Sequence, residues 1–284
     1  MTDTQDLSAE ELARRAAAGD GAALTALVER IKDDVYRLAL RILWHPEDAE
    51  DATQEILFKV VTSVATFRGE STFRTWALRV ATNHLLNVRR SRVEEEHLTF
   101  ERFGQDLATG LADPPAAARD DPEQALLEEE VKIGCTRAML LCLDRHERIA
   151  YLLGDVFELR SEDAGQVLGI APAAFRKRLS RARQRIRDFM REHCGLVNAN
   201  AACSCARRVA PALKRGRIDP RNLLFAGQGG ASRRDLPILE AVGEMERVHE
   251  IAAIHQAQSS VSTPDRVVAQ VRQALQTIGH GLLS

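Results

Sequence analysis

Long apolar runs are missing from this sequence. No stretch approaches the ~20 consecutive apolar residues of a membrane-spanning helix, and the N-terminus, MTDTQDLSAEELARR, lacks the basic-then-apolar order of a secretory leader. No membrane insertion and a cytoplasmic location are therefore expected. Aromatic residues make up only 5% of the chain, and no convincing strand pattern or internal repeat is present. Cysteine is sparse, at five in 284 residues, with none in the paired C-x-x-C spacing of common zinc ribbons. In a reducing compartment those thiols are core groups or metal ligands more readily than disulfides. There is no nucleotide-binding glycine loop and no carboxylate pair at a recognisable catalytic spacing, so an enzyme is not expected.

Ala, Leu, Arg and Glu are abundant, and these residues lose little rotamer freedom in a helix. An all-α fold follows. With 45% hydrophobic and 28% charged residues, the chain is globular rather than disordered, and its length suits two or three small domains. The net charge of −2 hides an asymmetry, because residues 172–192 hold eight basic side chains and two acidic ones. Acidic clusters lie elsewhere, at 94–96 and 120–130. Phosphate attraction decays over a Debye length of ~8–10 Å, so the local balance is what nucleic acid feels.

Ser8 with Glu11 forms a capping box that opens a first helix running toward Ala18. Gly19-Asp20-Gly21 breaks it, and a second helix carries Leu24, Leu27, Val28, Ile31, Val35, Leu38 and Ile42 on one side. His45-Pro46 restarts the chain, giving a third helix over about 46–65. A loop at Phe67–Ser71 precedes a fourth helix over about 72–92. Residues 93–122 read as a flexible linker, interrupted by Gly104, Gly110, Pro114-Pro115 and Pro122. A second helical domain spans 123–192. Residues 193–284 form a C-terminal extension, irregular to about 235, with helices expected at about 236–257 and 264–282.

On the third helix Ala49, Ala52, Ile56, Leu57, Val60, Val61 and Val64 share the apolar face. Asp51, Gln54, Glu55 and Phe58 share the opposite one, spaced i, i+3, i+4 and i+7. That stripe is either a solvated acidic face with a stray aromatic or a partner-binding surface with an aromatic anchor. The fourth helix should bury Phe73, Trp76, Ala77, Val80, Ala81 and Val88. Its other side presents Arg79, Thr82, Asn83, Leu86 and Arg90, donors suited to phosphates and base edges. Arg89, Arg90 and Arg92 equally suit the negative end of the helix dipole.

Ser161–Leu168 reads as a short helix capped by Ser161, Gly169-Ile170-Ala171 as a tight turn, and Pro172 as the start of a second helix. That helix has a narrow apolar stripe of Phe175, Leu179, Ala182, Ile186 and Phe189 in a basic surround. This is a helix-turn-helix, whose second helix enters the major groove of DNA. Its N-terminal part nominates Arg176, Lys177, Arg178, Ser180 and Arg181; the competing reading is a merely solvated basic helix.

DAEDATQEILFKVVTSVATF (48–67) and RGESTFRTWALRVATNHLLNVRRSR (68–92) resemble the promoter-melting domain of bacterial sigma factors of the sigma-70 family, extracytoplasmic-function (ECF) group. LDRHERIAYLLGDVFELRSEDAGQVLGIAPAAFRKRLSRARQRI, within 138–191, resembles that family's second domain. The resemblance covers residues 8–192 and implies that the chain directs transcription initiation. Residues 8–92 would then serve as region 2 and residues 123–192 as region 4. It gives Asp51, Gln54, Glu55 and Phe58 to the core RNA polymerase. It gives Arg68, Ser71, Arg79, Asn83 and Arg90 to the minus-ten strand, and the recognition helix to the minus-thirty-five duplex. Core RNA polymerase and promoter DNA are the implied partners, with an anti-sigma factor among those the family uses. Members of the family often begin the recognition helix with Gly-Thr, where this chain has Ala173-Ala174, so the upstream element it reads cannot be inferred. Minimal members also end near residue 192.

No cofactor is required by these roles. In the extension, His193, Cys194, Cys203 and Cys205 offer four soft ligands within thirteen residues, a set compatible with zinc or copper; inert reduced thiols are the competing reading. Cys135 and Cys142 read as core. The last helix has an apolar stripe of Val267, Val268, Val271, Leu275 and Ile278 that must pack on something. Two other function classes compete: a polymerase-independent helix-turn-helix regulator, and a zinc enzyme built on the Cys/His cluster.

Overall fold

The computed structural model describes residues 7–88, 98–115, 121–223, 226 and 261–281. These form eleven helices: α1 (Ala9–Ala17), α2 (Gly21–Leu43), α3 (Pro46–Ser63), α4 (Phe73–Asn87), α5 (Phe100–Thr109), α6 (Pro122–Leu141), α7 (Arg145–Tyr151), α8 (Ser161–Leu168), α9 (Pro172–His193), α10 (Cys205–Lys214) and α11 (Asp265–Gly281). A 3-10 turn (Val64–Thr66) follows α3, and a π turn (Leu152–Val156) follows α7. No strand occurs among the described residues, so the all-α expectation holds; the only β-type pairing there is an isolated bridge between Cys194 and Cys203. The chain divides into two compact units: Met1–Glu95 with Leu159–Arg176 and Ser262–Ser284, and Glu96–Glu158 with Lys177–Val261.

The first unit is built on α1–α4. Ser8 caps α1 by accepting from the Glu11 N–H at 3.1 Å, and Asp20 caps α2 through the N–H groups of Ala22 and Ala23 at 3.0 Å. Each such cap satisfies donors that a helix start leaves orphaned, for ~0.5–2 kcal/mol. Leu27, Val28, Ile31, Val35, Leu38 and Ile42 of α2 are buried, as their periodicity requires, while Leu24 of the same stripe is half-buried. Trp44 takes a positive φ of 70° to end α2, and Pro46 opens α3. The loop before α4 is pinned by Phe67, whose ring meets Phe73 edge-on at 5.6 Å and lies 5.8 Å from Trp76. Helix α8 packs against α4, and α11 against α2 and α3.

The second unit corrects two expectations. The stretch 93–122 is not featureless: Thr99 caps α5 through the Arg102 N–H at 3.2 Å, and Phe103 and Leu107 are buried. Phe103 stacks on Phe189 of α9 at 5.1 Å, with planes 13° apart. Nor is 193–235 uniformly irregular, since Ser204 caps α10. Val209 and Ala212 of α10 bury against Leu127 and Val131 of α6. In both helices tertiary packing overrides the Gly and Pro signals in the sequence. Buried Arg148 caps the other end of α6, donating to the carbonyls of Leu140, Leu141 and Leu143. The helix expected over 236–257 lies outside the described residues.

Candidate functional site

The turn between α8 and α9 depends on two glycines. Gly169 adopts the left-handed conformation, φ 64°, which costs a non-glycine residue steric strain. Gly165 lets the backbone fold close, because a Cβ there would stand 2.8 Å from the Ile170 carbonyl oxygen. Ser161 does not cap α8: it is the first helical residue, Arg160 holds the cap position without a side-chain bond, and Arg160 instead pairs with Asp163 at 3.2 Å. An arginine guanidinium cannot accept from the free N–H groups, so the acidic residues of the first turn, Glu162 and Asp163, offset the dipole there.

Along α9, Phe175, Leu179, Ala182, Ile186 and Phe189 are all buried. Arg176, Lys177, Ser180 and Arg181 are exposed and Arg178 is half-buried. The basic surround then splits in two. Arg183 donates twice to Asp155, at 3.0 and 3.1 Å, while Arg185 pairs with Glu147 at 2.5 Å and lies 5.3 Å from the Phe100 ring centre. Among the described residues Arg176, Lys177, Arg178 and Arg181 have no carboxylate partner. The N-terminal half therefore presents unneutralised cations, whereas Arg183 and Arg185 of the C-terminal half are committed to carboxylates of the same unit.

On α3 the expected stripe is at the surface: Asp51 and Glu55 are exposed, Gln54 and Phe58 half-buried. Ile56 and Leu57 on the apolar face are fully buried. Burial of a large apolar side chain stabilises by ~1.5–3 kcal/mol, so the fold draws that support from Ile56 and Leu57 and leaves part of Phe58 available to a partner.

On α4, Arg79 and Asn83 are exposed, while Thr82, expected on the same polar face, is fully buried. The buried face is wider than a single stripe because Leu78 and Leu85 also point inward, and Thr82 falls between them and Ala81. Trp76, Val80 and Val88, expected in the core, are only partly buried. Arg68 in the preceding loop is exposed, and the half-buried Ser71 hydroxyl donates to the Thr72 carbonyl at 3.2 Å. Arg90 lies outside the described residues.

Between α3 and α4 runs an open groove of about 640 Å³, lined by Glu55, Lys59, Val80, Asn83, His84 and Asn87. It brings together one residue from each expected set, Glu55 and Asn83. Lys59 and His84 were not singled out in the sequence, although Lys59 follows Glu55 by four on one helix and His84 adjoins Asn83. Lys59 Nζ lies 2.6 Å from His84 Nδ1. An ammonium can only donate, so Nδ1 accepts and the ring proton sits on Nε2, 3.7 Å from Glu55. Burial and then the Lys59 charge push the His84 pKa down, against the opposing pull of Glu55.

The four proposed soft ligands do not converge. Cys194, Cys203 and Cys205 line one small apolar cavity of about 50 Å³, and its fourth thiol is Cys135 of α6. The His193 ring lies instead 4.8 Å from Phe189, over Gly104. Burial pushes the Cys135 and Cys205 thiols up to about 12 and raises those of Cys194 and Cys203. All five cysteines are free, and among the described residues no group of three or more His, Cys, Asp or Glu side chains stands close enough to hold a metal ion.

Comparison with known proteins gives two family matches in order along the chain. Residues 27–94 match Sigma-70 region 2, and residues 133–186 match Sigma-70, region 4. The ECF RNA polymerase sigma factor SigE of Mycolicibacterium smegmatis is 34% identical over 181 residues, spanning 62% of this chain and 66% of the relative. The ECF RNA polymerase sigma factor SigW of Bacillus subtilis is 27% identical over 176 residues, spanning 61% of this chain and 92% of the relative. Among solved structures, CnrH in complex with the cytosolic domain of CnrY aligns with a TM-score of 0.43 and 20% identity, covering 63% of this chain and 94% of that one. Both family matches end before His193, where the extension begins.

Proposed function

The chain belongs to the sigma-70 family, in its extracytoplasmic-function group, and we infer from that premise that it directs DNA-templated transcription initiation by binding core RNA polymerase and recognising the minus-thirty-five and minus-ten promoter elements. The observation that carries this is the pairing of two family regions in the right order with a recognition helix whose N-terminal cations are free of carboxylates. A helix-turn-helix alone would equally suit a polymerase-independent regulator, but that reading leaves region 2 and the α3 stripe without a role. The relatives are transcription factors, and by extension this chain acts as one, in the cytoplasm, rather than as an enzyme. Among the described residues no helix is long and apolar enough to cross a membrane.

The division of labour is as follows. Residues 8–92 hold the polymerase and the opened strand, residues 123–192 hold the closed upstream duplex, and the stretch between joins them. Asp51, Gln54, Glu55 and Phe58 dock on polymerase, with the phenyl ring as anchor and the polar groups as rim. Arg68, Ser71, Arg79, Asn83 and Arg90 serve the melted strand, where cations track phosphates and amide groups read exposed base edges. Arg176, Lys177, Arg178, Ser180 and Arg181 serve the upstream duplex, with the arginines and lysine neutralising phosphates and releasing counterions. An anti-sigma factor is the family's usual antagonist, and the α3 stripe is a surface on which one could compete. A soft-metal role falls to Cys135 of α6 with Cys194, Cys203 and Cys205 of the extension, which share a cavity, rather than to a set containing His193. Binding there must draw the thiols together and release their protons. Titration of the full chain with Zn²⁺ at rising pH should then be weakened by Cys135→Ala and unaffected by His193→Ala.

The experiment for the whole reading adds the purified chain to core RNA polymerase on genomic promoter fragments. Promoter-specific transcripts that depend on both components support it. Duplex binding without any transcript supports the regulator instead.

A further inference from the structure

The apolar stripe of α11 has a partner within the chain. Val267, Val268 and Val271 are buried, at 2%, 8% and 0% exposure, and α11 lies against α2 and α3. A polar rim accompanies them. The Thr263 N–H donates to Asp33 at 2.7 Å, Arg266 pairs with Glu50 of α3, and Arg272 pairs with Glu29 of α2 at 2.8 Å. The arginines remain 66% and 57% exposed, so these pairs are weak and salt-sensitive, and the valines carry the attraction. Among the described side chains of α11 three valines and an exposed rim hold it, and Leu275 and Ile278 of the expected stripe lie outside them.

Its course matters more than its strength. Arg266 feels Glu50 and Glu47, in the N-terminal part of α3. Arg272, ~9 Å further along at 1.5 Å per residue, reaches Glu29, near the start of α2. Helices α2 and α3 pack on each other across a connection of two residues, Trp44 and His45, which makes them antiparallel. Helix α11 therefore travels in the direction of α3 from the level of Glu50. Around the α3 axis Glu50 lies ~40° from Gln54 and ~80° from Phe58. A partner packed ~8–10 Å from α3 over the Gln54 edge of the stripe would overlap α11, and one centred on Phe58 would abut it.

We propose that α11 is a built-in restraint that occupies the flank of α3 on the Gln54 side of the stripe and competes there with core RNA polymerase. This rests on the assignment of the α3 stripe to polymerase docking. A polymerase that needs this flank clear binds with its intrinsic affinity reduced by the fraction of molecules in which α11 has left.

The test measures core-polymerase affinity of the full chain and two full-length variants, each with and without Phe58→Ala. Val271→Asp places a carboxylate on the buried stripe, and Arg266→Glu turns an exposed ion pair into a repulsion without touching the core. Val271→Asp should bind polymerase at least about fivefold more tightly, the lower end of ordinary coupling between sites, and Arg266→Glu should shift in the same direction by less. Unchanged or weaker binding in both overturns the restraint. If Phe58→Ala weakens binding in every background while neither α11 variant strengthens it, only the restraint fails. If Phe58→Ala has no effect anywhere, the docking assignment fails and the restraint with it.

Discussion

Asp106 and Arg208 meet at 2.9 Å although 102 residues separate them in sequence. The same guanidinium donates to the backbone carbonyls of Asp106, at 3.1 Å, and Gly110, at 2.5 Å. The Gly110 carbonyl lies past the last turn of α5, and the Asp106 carbonyl, which already accepts from the Gly110 N–H at 3.1 Å, takes the guanidinium as a second donor. Arg215 and Arg217 close on the same carboxylate. A helix of the extension thus caps a helix of the stretch that precedes region 4, and three cations converge on one anion.

Asp106→Asn should loosen that unit. Burial alone would raise the Asp106 pKa, but the hydrogen bond and charge of Arg217, with Arg208 and Arg215, outweigh it and hold the carboxyl below its ordinary value. A depressed carboxylate contributes stability above its unfolded pKa of 3.8, lost as pH falls through the lower folded value. Removing one partner of a fully buried pair costs ~3–5 kcal/mol. Two of the three arginines here are more than a third exposed, so about 2 kcal/mol is expected after solvent screening. Thermal melts at pH 7 should show the loss, and the difference from wild type should vanish toward the acid limit.

The two halves of α9 should separate in salt titrations. Lys177→Ala or Arg181→Ala should weaken upstream-element binding and reduce the slope of log K against log salt by about 0.9 per lost phosphate contact. Arg183→Ala should leave the slope unchanged and lower the melting temperature, since its charge is spent on Asp155. Equal slope changes in all three variants would misplace the recognition surface.

Gly165→Ala tests the helix-turn-helix turn. Alanine gains ~1 kcal/mol of helix propensity over glycine, but its Cβ would stand 2.8 Å from a backbone carbonyl that cannot swing aside. Overpacking of this kind costs ~1–3 kcal/mol. A lower melting temperature with weakened duplex binding is expected. A stabilised protein would mean the turn is looser than drawn.

His84 should make the N-terminal bundle acid-sensitive. Its folded pKa lies below the ordinary value of 6.5 because burial and Lys59 disfavour the imidazolium. The stability tied to neutral His84 is complete above that value and is lost as pH falls through the lowered one. Between pH 7.5 and about 5.5, wild type should lose more thermal stability than His84→Gln. Parallel losses in both would assign the effect elsewhere.

Much of the fold was legible where local signals agree. Ser8 and Pro46 mark helix starts in the sequence and do so in the structure, and the apolar period of α2 matches most of its buried face; the Asp20 cap was hidden inside what read only as a break. Gly169 announced the turn before the recognition helix. Helices α5 and α10 were illegible because Gly104 and Gly110 read as breaks and residues 193–235 as irregular, whereas Phe189, Leu127 and Val131 supply distant surfaces for them to bury against. The same cause hid Cys135, since only the tertiary fold brings α6 beside Cys194, Cys203 and Cys205. Ser161 and Thr82 were misread by one step each: a cap that begins one residue earlier, and a polar face narrower than the helical wheel suggests. The surface position of the α3 stripe was legible because its four residues fall opposite the apolar face of the helix.

Binding of purified core RNA polymerase to the wild-type chain and to the double variant Gln54→Ala, Phe58→Ala is the most direct measurement. Wild type should bind, and the variant should bind at least about tenfold more weakly, as loss of an anchoring aromatic implies, with an unchanged melting temperature. Equal affinities, or a wild-type chain that ignores core polymerase, would contradict the assignment of this face.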